Sequence, residues 1–203
     1  MKFCTNHSNF KVLRNNENRG PAFSRNKGLR EAKGDFIAFV DIDDVWDQNK
    51  LKTQINFMIE NDFNFSCTAF CIKRGNIIIP EINSREISIE SLSKFTFNIA
   101  CSSVIVEKID TLRFKENLKN AEDYQLWSQL LLNPRIKPGY LENPQLLTYT
   151  LASGSQSSNK LKQLKGVFNA NRTLYSFNKS ILLTFYYIMN SLKRKFNYLK
   201  NSG

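Results

Sequence analysis

Five consecutive apolar residues at positions 36–40, followed at once by three carboxylates, constrain the fold of this chain more than any other stretch. The run is too short for a free-standing helix and is rich in aromatic and β-branched residues, so it predicts a strand buried on both faces. The carboxylates are Asp41, Asp43 and Asp44. Because the carboxyl ends of buried parallel strands open into the crevice where α/β sheets bind ligands, these side chains are predicted to lie at the mouth of a site.

Three carboxylates so close together repel one another, and each resists ionising unless a cation neutralises them. The hard cations Mg²⁺ and Mn²⁺ prefer oxygen ligands and are usually held by one or two carboxylates together with substrate phosphates. The pattern therefore predicts a divalent cation beside these residues. The alternative is a polar loop that caps the next helix, because Asp favours N-caps and turns.

The charge of the chain is concentrated at one end. The net charge is +11, but residues 1–158 carry 20 basic against 18 acidic residues, whereas residues 159–203 carry nine basic residues and no acidic one. The nearly neutral body argues against a nucleic-acid partner. No apolar run of about 18 residues is present and the start is polar, so we expect a cytoplasmic protein.

The order of the remaining patterns predicts alternating strands and helices. Residues 10–14 and 36–40 read as strands on either side of a helix at 22–32, which is the order expected of a parallel sheet. A second helix is predicted at residues 49–60, with Leu51, Ile55, Met58 and Ile59 on one stripe. Two apolar runs, at 63–72 and 76–79, predict a hairpin, and residues 99–106 predict another strand.

A second acidic pair, Glu122 and Asp123, precedes an apolar helical pattern. Both are predicted to lie in the first turn of that helix, where the helix dipole stabilises negative charge. Acidic residues are common in first turns for this reason alone. The functional interpretation is a general base facing a second, cation-binding cluster of carboxylates.

These segments together resemble the family 2 glycosyltransferases, the inverting group with the GT-A fold. The matching segments are residues 18–28, 34–46, 102–103, 114–118 and 121–127. No single segment is specific, but they occur in the order of the family with plausible gaps. The resemblance implies an α/β domain with a mixed, mainly parallel sheet flanked by helices.

The resemblance also implies roles for individual residues. Asp41 would help hold the nucleotide, and Asp43, with Asp41, would hold Mg²⁺ or Mn²⁺ on the diphosphate of a nucleotide-sugar donor. Asp123, with Glu122 beside it, would be the base that activates the acceptor hydroxyl. Donor-binding roles are implied for Arg25, Asn26 and Asp44.

The chain departs from the family pattern in two places. It opens at what would be the third element of the family, so the domain at residues 1–158 is predicted to be incomplete at its amino terminus. Near residues 149–152, where some relatives carry a metal-binding His, there is none, since His7 is the only His of the chain. A truncated or split reading frame would account for the abrupt start.

The basic residues 159–203 predict a helical tail. Its apolar positions recur at gaps of three and four, as on one face of a helix, at Leu182, Phe185, Met189, Leu192, Phe196 and Leu199. Such a helix lies in the interface of an anionic membrane through residues 178–200, or it packs back onto the body or pairs with a copy of itself. A membrane-surface location suits an enzyme whose acceptor is a glycan or a lipid-linked sugar.

Two further functions compete with sugar transfer for cell-surface polysaccharide synthesis. The first is a catalytically inactive truncated transferase, or a membrane-associated partner of a complete one. The second is a haloacid-dehalogenase phosphatase, in which Asp41 would be the nucleophile and Asp43 the acid and base. The phosphatase needs a later acidic loop that the residues after Asp123 do not provide.

Overall fold

The computed structural model describes residues 10–81, 83, 86–151 and 160–201. The helices are α1 Gly20–Glu31, α2 Lys50–Glu60, α3 Ile89–Ser93, α4 Glu122–Leu131, α5 Lys160–Arg172 and α6 Phe177–Asn201. The strands are β1 Phe36–Ala38, β2 Val45–Trp46, β3 Phe65–Thr68, β4 Phe70–Arg74, β5 Ile77–Pro80, β6 Val104–Glu107, β7 Pro138–Leu141 and β8 Leu147–Thr150. A 3₁₀ turn, Cys101–Ser103, precedes β6.

The strands form two four-stranded sheets with the orders β1-β6-β3-β7 and β2-β8-β4-β5. The predicted mixed α/β fold with flanking helices is confirmed. The prediction of a mainly parallel sheet is wrong, because in the described part of the chain only β3 with β7 and β4 with β8 run parallel. The other four pairings are antiparallel. A continuous apolar run indicates burial, and burial does not determine the direction of a strand.

The strand before the acidic loop is shorter and less buried than predicted. In the first sheet β1 pairs with β6 alone and forms the edge. Ile37 and Phe39 point into the core, whereas Ala38 and Val40 are exposed. The expectation of burial on both faces is therefore wrong for the described structure.

The helix before β1 follows the prediction closely, and the strand predicted before it does not form. Pro21 stands in the first turn of α1, where its missing N–H costs nothing. Residues 10–14 do not form a strand. They run along α1 instead, where Lys11 pairs with Glu31 and the Lys27 ammonium donates to the Arg14 carbonyl.

The second helix buries a different face from the predicted one. Lys50, Gln54 and Met58 are the buried residues of α2, one turn apart. Leu51 and Ile59 are 44% and 65% exposed. The stripe prediction counted apolar residues only, and the buried face of α2 is mostly polar.

The predicted hairpin is confirmed by the antiparallel pairing of β4 with β5. The run at 63–72 was predicted as one strand but contributes β3 to one sheet and β4 to the other. The strand predicted at 99–106 begins only at Val104, because the chain first makes the 3₁₀ turn.

The main core gathers around the indole of Trp127 on α4. Its ring centroid lies 5.7 Å from that of Phe39, 5.7 Å from that of Phe65 and 6.0 Å from that of Phe114. Truncating a buried aromatic residue of this kind to Ala lowers the free energy of unfolding by about 3–5 kcal/mol. The packing of Trp127 fixes α4, and with it the acidic first turn of that helix.

The described C-terminal residues form the helices α5 and α6, and both contact the body. Val167 and Ala170 of α5 belong to the main core, and Leu183 of α6 is buried. The predicted domain boundary at residues 158 and 159 lies outside the described residues. Within the described part of the chain, no helix combines the length and the apolarity needed to cross a bilayer.

Candidate functional site

A cavity of about 610 Å³ opens between α1, the loop after β1 and the start of α4. Five of the predicted site residues line it, namely Arg25, Asp41, Asp43, Glu122 and Asp123. The structure therefore brings the two acidic segments, about eighty residues apart in the chain, to one cavity.

The acidic loop after β1 is held by bonds to two other segments. The Asp41 backbone N–H donates to Ser102 Oγ over 2.9 Å, and the Asp44 N–H closes a turn onto the Asp41 carbonyl over 3.1 Å. Asp44 Oδ1 accepts from the Thr150 N–H of β8 at 3.0 Å. These bonds fix the backbone of the loop and leave the Asp43 side chain exposed in the cavity.

The Arg25 guanidinium joins the two acidic segments. Its Nη2 lies 2.8 Å from Asp41 Oδ1, and its Nη1 lies 2.8 Å from Glu122 Oε1. The Arg25 side chain is 17% exposed and that of Glu122 9%, so the charge-assisted bond between them is shielded from water, whereas Asp41 is 37% exposed. The distance across this end of the cavity is thus set by one rigid, planar group.

The first turn of α4 presents both of its acidic side chains to the cavity, as predicted. Ala121 immediately before it has φ of 59°, a left-handed conformation that is uncommon for Ala. Burial raises the pKa of Asp123, and Arg25 only partly offsets this. Burial also raises the pKa of Glu122, helped by the charge of Asp123. A raised pKa makes an ionised carboxylate a stronger base, which suits a group that must accept a proton.

Two predicted donor-binding residues do not line the cavity. Asn26 is 2% exposed, and its amide bonds the backbone N–H and carbonyl of Phe114 and the carboxylate of Glu116. Its donors and acceptor are thereby used in holding α1 to the chain before α4, so its predicted contact with a donor is not supported. Asp44 turns towards β8, and burial raises its pKa.

Sequence reasoning missed the residues that close the other side of the cavity. The rings of Phe95, Phe97, Tyr124 and Tyr187 line it, together with Gln163 of α5. These residues come from four separate segments and carry no recognisable spacing. Ser102, which the family resemblance did mark, supports the acidic loop and does not line the cavity.

The acidic loop suits a cation that is shared with a phosphate-bearing ligand. Among the residues that the structure describes, no three His, Cys, Asp or Glu side chains converge into a protein-only metal cage. Asp41 and Asp43 both line the cavity; Asp43 is exposed, and Asp41 bonds Arg25 through Oδ1. Mg²⁺ characteristically takes one or two carboxylates and completes its shell with phosphates and water, so the donor set fits that mode.

Solved structures share this architecture. The chain superposes on Staphylococcus aureus TarS (residues 1–349, in complex with UDP-GlcNAc) with a TM-score of 0.63 and 18% identity, over 86% of this chain and 54% of that one. A second TarS structure of the same residues gives a TM-score of 0.59 at 17% identity. The chain therefore spans about half of the solved TarS chain. This likeness shows that the chain has a GT-A-like fold.

The sequence also matches the profile of "Glycosyl transferase family 2" over residues 2–113. The chain is 33% identical to the Escherichia coli UDP-Glc:alpha-D-GlcNAc-diphosphoundecaprenol beta-1,3-glucosyltransferase WfgD over 90% of its own length and 71% of that protein. It is 31% identical to the Bacillus subtilis protein TuaG, named a putative teichuronic acid biosynthesis glycosyltransferase, over 88% and 72%. The chain belongs to glycosyl transferase family 2. The haloacid-dehalogenase alternative is thereby overturned.

Proposed function

We propose that this chain transfers a sugar from a nucleotide-sugar donor to a lipid-linked or glycan acceptor in cell-surface polysaccharide synthesis, with inversion at the anomeric carbon. The observation that carries the proposal is the shared cavity lined by Asp43 and Asp123. The printed names of the relatives support the substrate class, since WfgD uses UDP-Glc and a diphosphoundecaprenol-linked sugar.

Asp123 is the proposed base. The acceptor hydroxyl oxygen forms a bond to the anomeric carbon while the bond from that carbon to the diphosphate oxygen breaks. The hydroxyl proton passes to Asp123, and the nucleoside diphosphate leaves with the electron pair. Asp123 and the acidic loop line the same cavity, and on this proposal they flank the sugar. Attack and departure then take place on opposite sides of the anomeric carbon, which inverts the centre.

Asp43 and Asp41 are the proposed holders of Mg²⁺ or Mn²⁺. The cation, when bound, supplies Lewis-acid stabilisation of the charge that develops on the leaving diphosphate. Glu122 is proposed to act through Arg25, since the Arg25 guanidinium bonds both Glu122 and Asp41. Arg25 then keeps the acidic loop at a fixed distance from the base, and its two bonds to carboxylates leave it a positioning role more than a direct donor contact.

Hydrolysis of nucleotide sugars tests the proposal. Wild type is expected to release nucleoside diphosphate from at least one UDP-sugar in the presence of Mn²⁺, and Asp43→Asn is expected to lose most of this activity. Asp35→Asn, an exposed aspartate before β1, is the matched control and should behave as wild type. Equal rates for Asp43→Asn and wild type would refute the metal role. Inactivity of the wild type towards every donor would favour the inactive-transferase alternative.

The exposed face of α6 is the proposed contact with an anionic membrane surface. The opposite face of α6 packs on the body, where Asn190 and Arg194 bond backbone carbonyls. Packing of α6 on the body and contact of its exposed face with a membrane are therefore compatible. The exposed side chains include Leu182 at 52%, Phe185 at 54% and Leu192 at 56%. Residues 159–203 add nine basic residues and no acidic one, and each basic residue near an anionic surface contributes about 1 kcal/mol.

Vesicle sedimentation tests this surface. Wild type is expected to sediment with phosphatidylglycerol vesicles more than with phosphatidylcholine vesicles, and Phe185→Ser should reduce the bound fraction. Ile78→Ser, which removes an apolar side chain of similar exposure from β5, is the control. A stable dimer in solution that Phe185→Ser dissociates, with no vesicle binding, would assign the face to a second copy instead.

A further inference from the structure

Phe95 has an unusual backbone conformation beside the cavity. Its φ is 55°, in the left-handed region that a bulky aromatic residue rarely adopts. Strained residues of this kind persist only where their surroundings hold them, and they concentrate at functional sites. The ring of Phe95 lines the cavity.

The last helix holds this strained segment on both sides. Asn190 Nδ2 donates to the Lys94 carbonyl over 2.8 Å, and Arg194 Nη2 donates to the Phe95 carbonyl over 3.0 Å. Arg194 is itself fixed by Glu81, with 3.2 Å between Nε and Oε1. Two side chains of α6 thus bond the two consecutive carbonyls at the bend.

The conformation of Phe95 sets an aromatic wall directly after the proposed base. Its ring stacks on Tyr124, with centroids 4.9 Å apart and planes inclined by 23°. Tyr187 of α6 meets Phe95 edge-on, also with 4.9 Å between centroids. Because Tyr124 follows Asp123 in the chain, the wall and the base share one helical turn.

Polar groups accompany the rings. The Tyr187 hydroxyl donates to Gln163 Oε1 over 3.0 Å, and both residues line the cavity together with Asn98. Phe95 and Tyr187 are only partly buried, so the wall is not simply the interior of the core. Aromatic walls with a few placed amides and hydroxyls are characteristic of small-molecule sites.

We propose that this aromatic end of the cavity is the subsite for the acceptor's pyranose ring, and that Asn190 and Arg194 are positioning residues that shape it. The inference rests on the proposed transferase function and adds the place and the chemistry of acceptor binding. The C–H faces of a pyranose pack against the rings, while its hydroxyls bond the amides of Gln163 and Asn98. The subsite therefore requires α6.

Binding of simple glycosides tests the subsite without requiring catalysis. Saturation-transfer NMR on the full chain uses methyl glycosides of glucose and of N-acetylglucosamine as probes. Wild type is expected to bind at least one of them at millimolar concentration. Asn190→Ala is expected to weaken binding about fivefold, the effect of one hydrogen bond. Asn169→Ala, an exposed asparagine of α5, is the matched control and should bind as wild type.

Kinetics separate a positioning role from a general loss of structure. Asn190→Ala should raise the KM for a glycoside acceptor while donor hydrolysis and donor KM stay unchanged. No glycoside binding in the wild type, or equal binding by Asn190→Ala and wild type, would overturn the subsite. A parallel fall in donor hydrolysis would also overturn it, since that marks a purely structural effect. Glycoside binding that depends on Asn190, without hydrolysis of any donor, would refute the transfer reaction and leave the sugar subsite standing.

Discussion

Three factors act on the pKa of Asp123: burial of the side chain, the N-terminus of α4 and the charge of Arg25. Of these, burial has the largest effect and raises the pKa of the carboxyl. A raised folded-state pKa means that the ionised form is less stable in the folded than in the unfolded chain. The free energy of unfolding is therefore diminished as the pH rises through the folded-state pKa of Asp123.

Asp123→Asn is expected to abolish transfer and to leave the protein as stable as wild type or more stable at pH 7. The amide keeps an oxygen that can accept the Tyr124 N–H, as Oδ1 does over 2.7 Å in the wild type, and removes the desolvated charge. Thermal melts and single-turnover transfer assays measure both effects. A large loss of stability together with activity would show that the carboxylate is a structural group and not the base.

Lys50 is a buried ammonium group, and its hydrogen bonds within the described part of the chain go to uncharged oxygens. Nζ donates to Gln54 Oε1 over 2.6 Å and approaches the Ser103 carbonyl at 3.5 Å, with the Trp46 ring 4.5 Å away. Burial lowers its pKa to about 8. The Trp46 indole donates to the Ser102 carbonyl. The polar cluster of Lys50, Gln54 and Trp46 therefore lies under the 3₁₀ turn that supports the acidic loop.

Replacing Lys50 by Met removes the titration and so isolates its effect on stability. The unfolded lysine keeps its proton to higher pH than the folded one, so wild-type stability rises between about pH 8 and pH 10.5. The difference in unfolding free energy between wild type and Lys50→Met should shift in favour of the wild type by about 1–3 kcal/mol over this range. Denaturant titrations at both ends of the range measure it. A difference that does not change with pH would mean that the folded lysine titrates normally.

Site residues could be predicted from the sequence only where several residues of one chemical type stand close together in the chain. Asp41, Asp43, Glu122 and Asp123 were found because acidic residues cluster after an apolar run or at a helix start. Asn26 lies in the same kind of segment as Arg25, yet it packs inward. Phe95 gave no signal, because the left-handed backbone of a bulky residue depends on bonds from a helix almost a hundred residues later.

At the scale of elements, the approach of α5 to the start of α4 is unusually close. A Cβ atom added at Gly166 would lie 2.7 Å from Asn120 Cβ and 3.0 Å from its carbonyl oxygen. Asn120 and Ala121 lead directly into the first turn of α4. Glycine at this one position of α5 therefore lets the helix pack against the segment that orients the proposed base.

Gly166→Ala is expected to lower stability by about 1–3 kcal/mol through overpacking and to reduce transfer as the first turn of α4 shifts. Gly28→Ala is the matched control, because a Cβ there meets nothing within 4 Å. This control should be neutral or stabilising by up to about 1 kcal/mol. Thermal melts and initial rates measure both variants. Equal stability and equal rates for the two variants would mean that the segment around Asn120 moves to accept the added methyl group without loss of stability.

The elements themselves were more predictable than their surroundings. Helices at α1, α2 and α4 follow apolar spacing and stop signals that are local in sequence. Which face each element buries is not local. The buried face of α2 is mostly polar because Gln54 bonds Ser66 Oγ and the Ser103 carbonyl, and those partners lie in β3 and in the 3₁₀ turn before β6. Likewise, β1 has an exposed face because its position at the sheet edge is set by pairing and not by its own residues.

Across the whole molecule, charge is separated from the catalytic body. The body is nearly neutral, whereas the two C-terminal helices carry the excess of positive charge. Screening shortens the reach of such charges to about 8 Å at physiological ionic strength. The balance between apolar and electrostatic contributions to membrane binding can therefore be read from its salt dependence.

Raising the salt concentration from 50 mM to 500 mM is expected to release most of the protein from phosphatidylglycerol vesicles, because the basic residues then lose about 1 kcal/mol each. Sedimentation at each salt concentration measures the bound fraction. Phe185→Ser should bind less at every concentration and follow the same trend. Binding that does not change with salt concentration would mean that the apolar face of α6 alone, without the basic residues, attaches the protein to the vesicles.

Tyr187 and Ile188 are neighbours in α6, yet one contacts the aromatic wall and the other is exposed to the surroundings. A rigid rod with a substrate surface on one flank and a lipid-facing surface on the other transmits any tilt between them. On the two proposals together, the bilayer is an effector of the enzyme as well as its platform. Acceptor affinity would then depend on lipid composition, and detergent extraction would change catalysis even where every site residue is intact.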